Sequence, residues 1–131
     1  MKLSLFNLFL IPIAASAFMP SSVKKQAFSA FSVTPDEFVS EAVASSDVVI
    51  FSKSTCPFCK KTKALFESLD VKYAVIELNE RDDGPDVQAA LLDFSGQRTV
   101  PNVFIKGKHL GGNDATQKAN KDGTLLKLLQ A

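Results

Sequence analysis

The chain has 131 residues, a formal net charge of +1, 46% hydrophobic residues and 22% charged residues. These values are ordinary for one globular domain, and they exclude both a large multidomain enzyme and a chain that is disordered throughout. The near-neutral charge gives no basic surface for nucleic acid. Two cysteines and one histidine exclude a disulfide-rich scaffold and a four-ligand zinc site within one chain.

The first 17 residues have the composition of a secretory signal peptide. Lys2 gives a positive start, residues 3–15 are predominantly apolar, and Ala15-Ser16-Ala17 is a small-x-small cleavage pattern. This apolar stretch is shorter than the about 20 residues that a transmembrane helix needs. Residues 1–17 are therefore predicted to be a cleaved signal peptide, with a buried N-terminal helix as the alternative.

Residues 18–33 are rich in serine and alanine, basic and free of acidic residues, as a transit peptide is. The junction around Phe18 resembles that of the bipartite presequences of algae with secondary plastids. This resemblance implies delivery to the plastid stroma, with the secretory pathway as the alternative. We expect residues 1–33 to be a cleavable presequence and residues 34–131 to be the folded domain, with no membrane segment in the mature form.

The remaining chain alternates helix and strand patterns. Thr34 and Glu37 match a capping box, with Pro35 at the first helical position, and the apolar run at 48–51 indicates a strand buried on both faces. The other predicted elements, in chain order, are a helix from Pro57, a strand at 73–78, a helix from Gly84 to Gly96, hairpin strands at 103–105 and 109–110, a helix from 113 to about 120, and a short apolar cap at 125–129.

This order of elements predicts an α/β fold in which helices flank one central four-stranded mixed sheet. The strand–helix–strand segment at 48–78 indicates a right-handed crossover between parallel strands. Lys60, Lys61 and Lys63 are expected on the solvated edge of the helix that begins at Pro57.

The chemistry is expected at Cys56-Pro57-Phe58-Cys59. A C-x-x-C sequence between a strand and a helix is typical of a redox site, and residues three apart on a helix share a face. Free N–H groups and the helix dipole favour an anion at Cys56, and Lys53 adds positive charge. We therefore predict Cys56 as the nucleophilic thiolate and Cys59 as the resolving thiol. Pro57 removes one N–H donor, which moderates the reactivity of Cys56.

Two other uses of the cysteines stay open at this point. The pair could be half of a zinc site, although no second pair exists and His109 is the sole histidine. It could also form a structural disulfide, although so short a loop constrains the unfolded chain little. His109 falls in the predicted hairpin and is expected to have no catalytic role.

Three separated segments resemble a dithiol (class I) glutaredoxin. They are Ser52-Lys53-Ser54-Thr55-Cys56-Pro57-Phe58-Cys59, the run from Gly96 to Ile105, and Gly107-Lys108-His109-Leu110-Gly111-Gly112-Asn113-Asp114. The resemblance covers residues 34–131. It implies a thioredoxin fold and glutathione-dependent thiol–disulfide oxidoreductase activity, with glutathione as the reducing co-substrate, glutathionylated or disulfide-containing proteins as partners, and no metal.

The resemblance also implies a glutathione site. Pro101 matches the family's cis-proline, and Val100 would pair its backbone with the cysteinyl residue of glutathione, as an added strand does. The other residues implied to bind glutathione are Lys53 and Gln88 for the glycine carboxylate, Gly112, Asn113 and Asp114 for the γ-glutamyl end, Phe58 along the groove, and Thr99 near the thiol. Plain surface solvation is the alternative for Gln88.

Two departures from the family pattern concern that site. Phe58 stands where many members have tyrosine, and Ala115 replaces an aspartate that commonly follows Asn113-Asp114.

Two further functions are weighed beside a monomeric thiol–disulfide oxidoreductase. One is a dimer that carries a glutathione-ligated [2Fe–2S] cluster, against which Pro57 argues. The other is a thioredoxin-type protein, which would have Trp-Cys-Gly-Pro-Cys, whereas this chain has no tryptophan.

Overall fold

The computed structural model describes residues 33–131. The predicted signal peptide and all but the last residue of the transit-like segment lie outside the described residues. Thr34–Ala131 form one compact unit.

Six helical segments and four strands make up this unit. In chain order they are α1 (Pro35–Ser45), β1 (Val48–Ser52), α2 (Pro57–Ser68), β2 (Ala74–Glu77), a short 3-10 helix (Leu78–Glu80), α3 (Gly84–Ser95), β3 (Asn102–Ile105), β4 (Lys108–Gly111), α4 (Asn113–Lys121) and α5 (Thr124–Gln130).

The four strands form one sheet in the order β2–β1–β3–β4. β1 is parallel to β2, with Ile50 opposite Val75, and antiparallel to β3, with Ile50 opposite Val103. The β3–β4 pair is antiparallel, and its turn places Lys106 and Gly107 at positive φ. The predicted α/β architecture with a four-stranded mixed sheet between helices is thereby confirmed.

Alternate residues of β1 enter two separate hydrophobic cores, because side chains of a strand point to opposite faces in turn. Val49 and Phe51 pack with residues of α1 and α3. Val48 and Ile50 pack with residues of α2, α4 and α5. Every residue of β1 is buried, as the sequence predicts for a central strand covered on both faces.

Local sequence signals set the helix ends. The Thr34 hydroxyl accepts a hydrogen bond from the N–H of Glu37, and the Glu37 side chain accepts from the N–H of Thr34, so the predicted capping box forms. Gly96 follows the last residue of α3 with φ 79°, a left-handed conformation that suits glycine.

The C-terminal apolar segment, predicted as a short apolar cap at 125–129, is the helix α5. Asp122 accepts a hydrogen bond from the N–H of Thr124 at 2.9 Å, and Leu125 is buried in the core beneath α2. Asp122-Gly123, expected only to end the preceding helix, therefore also begins α5. Among the helices described, none combines the length and the apolar character of a membrane span.

Candidate active site

Cys56 and Cys59 lie at the start of α2, after the loop that leaves β1. Cys56 directly precedes the helix in an extended conformation (φ −89°, ψ 120°), and Pro57 is the first helical residue. The N–H of Cys56 donates to the carbonyl of Lys53 at 2.9 Å, which closes the loop. Both cysteines are free thiols, Cys56 half-buried and Cys59 buried.

The environment of Cys56 favours its thiolate. Partial burial raises the pKa of the thiol, but hydrogen bonds from the backbone N–H and the side chain of Cys59, then from the N–H of Phe58, lower it further than burial raises it. The positive charge of Lys53 acts in the same direction. The pKa of Cys56 therefore lies below the ordinary cysteine value, as the sequence predicts, with the Cys59 thiol as an added cause.

The environment of Cys59 has the opposite effect. Burial raises the pKa of this thiol, and the neighbouring Cys56 raises it too, while hydrogen bonds from the Lys53 backbone and the Ser52 hydroxyl offset only part of that rise. Cys59 has 0% exposed surface. The neutral thiol is therefore the favoured form of Cys59.

A groove runs beside Cys56, and we call it the active-site groove. It has a volume of about 170 Å³ and is lined by Phe58, Val100, Pro101, Asn113 and Asp114. The Val100–Pro101 peptide bond is cis, and the Sγ of Cys56 lies 3.9 Å from the carbonyl oxygen of Val100. Five of the residues predicted to bind glutathione thus line one groove next to the nucleophile.

Lys53 and Gln88 line a different cavity, which we call the second groove. It has a volume of about 240 Å³, between the 3-10 helix and the start of α3. The Nε2 of Gln88 donates to the carbonyl of Arg98 at 2.8 Å, so this amide is a fixed group. The structure therefore brings these two residues together, as predicted, but separates them from the lining of the active-site groove.

The last two predicted residues, Thr99 and Gly112, are chain neighbours of residues that line the active-site groove. The carbonyl of Thr99 accepts a hydrogen bond from the Nε2 of Gln97 at 2.9 Å, and the same amide donates to the carbonyl of Pro101 at 3.0 Å. Gly112 precedes α4, and a Cβ built on it would lie 3.5 Å from the Pro101 carbonyl oxygen. The loop at Gly112 therefore packs directly on the cis-proline segment.

Sequence comparison connects this geometry with known proteins. The glutaredoxin family profile matches residues 48–110. Glutaredoxin-C4 of Arabidopsis thaliana is 52% identical over 101 residues, which is 77% of this chain and 75% of that protein. The chain belongs to the glutaredoxin family. Glutaredoxin-C4, chloroplastic, of Oryza sativa subsp. japonica is 54% identical over 89 residues, 68% of this chain and 67% of that protein.

Solved glutaredoxin structures superpose on the chain. The holo form of glutaredoxin C1 from Populus tremula x tremuloides has a TM-score of 0.72 and 41% identity, over 73% of this chain and 95% of that one. The buckwheat glutaredoxin–glutathione complex has a TM-score of 0.72 and 45% identity, over 73% of this chain and 87% of that one. This glutaredoxin thus has the predicted thioredoxin fold, and it is a thiol–disulfide oxidoreductase.

One expectation about the lysines of α2 is wrong. Lys63 is not on the solvated edge of this glutaredoxin, because its Nζ lies 2.5 Å from a carboxylate oxygen of Glu77, with 19% of each side chain exposed. The other oxygen of Glu77 accepts a hydrogen bond from the buried Ser52 hydroxyl at 2.7 Å. Both side chains are largely shielded from solvent, and a charge in such a place is stabilised by an opposite charge beside it. Lys61 remains exposed, with its Nζ 5.4 Å from the centre of the Phe58 ring.

Two residues of the site escaped the sequence prediction. Gln97 fixes the cis-proline segment through the two hydrogen bonds above, and Thr62, from the middle of α2, donates to the side chain of Asn113 at 3.0 Å. In the sequence, Thr62 is marked only by being a threonine among the apolar and basic residues of a predicted helix. Its partner lies 51 residues away in sequence, so only the packing of α2 on α4 reveals the contact.

His109 lies on the edge strand β4 of this glutaredoxin. Its ring packs on Phe104 at 5.3 Å between centres, and burial lowers the pKa of its imidazole. It lines neither groove described above. Within residues 33–131, no three His, Cys, Asp or Glu side chains converge as metal ligands would.

Proposed function

We propose that this glutaredoxin reduces protein–glutathione mixed disulfides and protein disulfides, with Cys56 as the nucleophile and Cys59 as the resolving thiol. One observation carries the proposal: the half-buried sulfur beside the groove has a lowered pKa, and the buried sulfur behind it has a raised one. A thiolate attacks and a neutral thiol does not, so the two environments support this division of roles.

The first reaction uses Cys56 alone. Its thiolate attacks the glutathione sulfur of a mixed disulfide, a Cys56–glutathione disulfide forms, and the target cysteine leaves as a thiolate. A second glutathione, as its thiolate, then attacks the bound glutathione sulfur. Glutathione disulfide is released and the Cys56 thiolate is restored, so one reduced glutathione is consumed and the net result is exchange of the target thiol for glutathione in the disulfide.

The second reaction needs both cysteines. Cys56 attacks one sulfur of a protein disulfide, and the mixed disulfide that results is attacked in turn by Cys59 after it has lost its proton. The target leaves with both thiols reduced, and a Cys56–Cys59 disulfide remains for glutathione to reduce. Glutaredoxin potentials of about −200 to −230 mV suit exchange with glutathione.

Glutathione is proposed to bind across both grooves. Val100 would hold the cysteinyl backbone, Phe58 and Pro101 would form the wall, and Thr99 would lie near the thiol. Gly112, Asn113 and Asp114 would take the γ-glutamyl end, and Lys53 with Gln88 would take the glycine carboxylate. The start of α4 supports this orientation of glutathione. N–H groups at a helix start attract the carboxylate of the γ-glutamyl end, and Asp114 attracts its ammonium group. The solved complex of buckwheat glutaredoxin with glutathione supports glutathione as the ligand.

The test is a glutathione-coupled assay of the purified protein on a small glutathione mixed disulfide. We expect turnover with glutathione and glutathione reductase alone. A protein that needs thioredoxin reductase, or one that forms no Cys56–glutathione adduct by mass spectrometry, would contradict the proposal.

The [2Fe–2S] alternative would use the same Cys56 thiolate in a dimer. We propose that the protein is a monomer without a cluster. Anaerobic purification followed by an absorbance spectrum and size-exclusion chromatography decides this question, because a stable brown dimer would favour the cluster carrier.

Residues 1–33 are proposed as a presequence for the plastid stroma, with residues 1–17 as the signal peptide and 18–33 as the transit-like part. The chloroplastic rice relative supports a plastid destination. A fluorescent fusion of residues 1–35 tests it, and secretion of the fusion would favour the alternative compartment.

A further inference from the structure

The amide of Asn113 is held by two hydrogen bonds to its oxygen. The Thr62 hydroxyl donates to the Oδ1 of Asn113 at 3.0 Å, and the Nε2 of Gln117 donates to the same atom at 3.2 Å. A carboxamide oxygen has two lone pairs. Both are therefore occupied by groups of the protein itself, one from α2 and one from the next turn of α4.

The nitrogen of that amide is left for a ligand. Among the hydrogen bonds of the described residues, the Asn113 side chain takes part only through its oxygen. Asn113 lines the active-site groove together with Asp114, so an amide side chain and a carboxylate side chain are neighbours along it. A free α-amino acid end, which carries a carboxylate and an ammonium group, matches this pair.

Thr62 is the fixed member of this arrangement. It has 0% exposed surface, so water cannot replace its hydroxyl as the donor to Asn113. Gln117, on the same helix as Asn113, is only half-buried. Without the Thr62 hydroxyl, the amide can turn by about 180°, and its oxygen would then face a ligand carboxylate and repel it.

We propose that Thr62 is a positioning residue that makes the active-site groove prefer ligands with a γ-glutamyl end, because it turns the Asn113 amide so that its N–H group faces the ligand carboxylate. The inference rests on the proposed glutathione chemistry. It assigns a part in ligand choice to a buried residue of the cysteine-bearing helix, three residues after Cys59.

The test compares two small mixed disulfides that differ in one residue, one formed with glutathione and one with cysteinylglycine, which lacks the γ-glutamyl group. In Thr62→Val, whose side chain keeps the shape and loses the hydroxyl, we expect the KM for the glutathione substrate to rise about fivefold to tenfold, the size of one hydrogen bond. The kcat, and the KM for the cysteinylglycine substrate, should stay unchanged. Thr62→Ser keeps the donor and should behave as the unaltered protein.

The Asn113→Ala background gives an independent criterion. If Thr62 acts through Asn113, adding Thr62→Val to Asn113→Ala should raise the KM no further. Should Thr62→Val fail to fold, Gln117→Leu removes the other donor to the same oxygen and should cause a loss in the same direction.

The outcomes separate this inference from the proposed function. An unaltered protein with no preference for the glutathione substrate would overturn the proposed function, and the inference with it. An unaltered protein with that preference, together with a Thr62→Val variant that keeps it in full or that loses activity equally on both substrates, would overturn the inference alone.

Discussion

Cys56 and Cys59 are one helical turn apart, yet the protein gives them opposite protonation preferences. Replacing Cys56 with serine removes the thiolate, so deglutathionylation should fall to the uncatalysed rate. Replacing Cys59 with serine should leave most of this activity and abolish the reduction of protein disulfides. Assays of both variants on a glutathione mixed disulfide and on a protein disulfide measure the difference. Equal loss in both variants would refute the division of roles.

The lowered pKa of Cys56 fixes the pH dependence of its reactivity. Since the thiolate is the reactive form, the rate of iodoacetamide alkylation should fall as the pH drops through the pKa of Cys56, with a midpoint below the ordinary cysteine value of about 8.5. Lys53→Gln removes a stabilising positive charge and should move the midpoint upward, by less than about one pH unit because the charge of the half-buried Lys53 is still partly screened by solvent and salt.

Lys72→Gln is the matched control for that experiment. Lys72 is exposed and follows the far end of α2, about 18 Å of helix from Cys56. A midpoint that moves equally in both variants would indicate an effect of net charge rather than of Lys53.

At the scale of single residues, the sequence predicts the two cysteines of the candidate site better than the side chains that hold the site in place. The roles of Cys56 and Cys59 follow from their position at a helix start, a local property. The contact of Thr62 with Asn113 depends on how α2 packs on α4 after folding. The contacts of Gln97 reach only two and four residues along the chain, but they depend on the turn at Pro101. Lys63 shows the same limit, because a lysine near the middle of a helix looks solvated until its strand partner, Glu77, is known.

The capping box of α1 is an element whose effect on stability can be isolated. Thr34→Ala removes the hydroxyl that accepts from the N–H of Glu37 at 3.2 Å, which should lower the free energy of unfolding by about 1 kcal/mol. Urea denaturation measures this change. Thr34→Ser keeps the cap and serves as the control, and activity at low denaturant should be unaffected, since α1 contributes no residue to either groove.

Elements with strong local signals are predicted well, and those that depend on context are not. β1 is evident from its apolar run, and α1 from its cap. The predicted strand at 73–78 is shorter in the structure, Ala74–Glu77, because Leu78 already belongs to the 3-10 helix. α5 has only 7 residues, too few for a reliable periodicity, and it is stabilised by the burial of Leu125.

At the scale of the whole molecule, the compact unit that begins at Thr34 is expected to fold and to be active without residues 1–33. The Thr34–Ala131 fragment should fold and keep the kcat and KM of the full chain, because both grooves and both cysteines lie within it. Circular dichroism and the coupled assay check the two properties. A shorter fragment that begins at Asp47, without α1, should unfold, since Val39 and Val43 belong to the core on that face.

The architecture was accessible from sequence because alternating strands and helices restrict the possible topologies. The order of the strands in the sheet could not be predicted, because it depends on whether β3 pairs antiparallel with β1 or with β2. The distribution over two grooves of the residues predicted to bind glutathione could likewise not be predicted, since the resemblance supplies residues and not the cavities between them.

The central strand β1 has neighbours on both sides and a helical layer over each face, so its amide hydrogens should be among the last to exchange in deuterated water. Cys56 follows the end of this strand by four residues. Cys56 is therefore joined, through the three residues 53–55, to the strand that we expect to exchange most slowly. Hydrogen–deuterium exchange followed by mass spectrometry should show equally slow exchange of the β1 amides in the reduced protein and in the glutathione adduct. The strand that precedes Cys56 would then keep the same conformation from one turnover to the next.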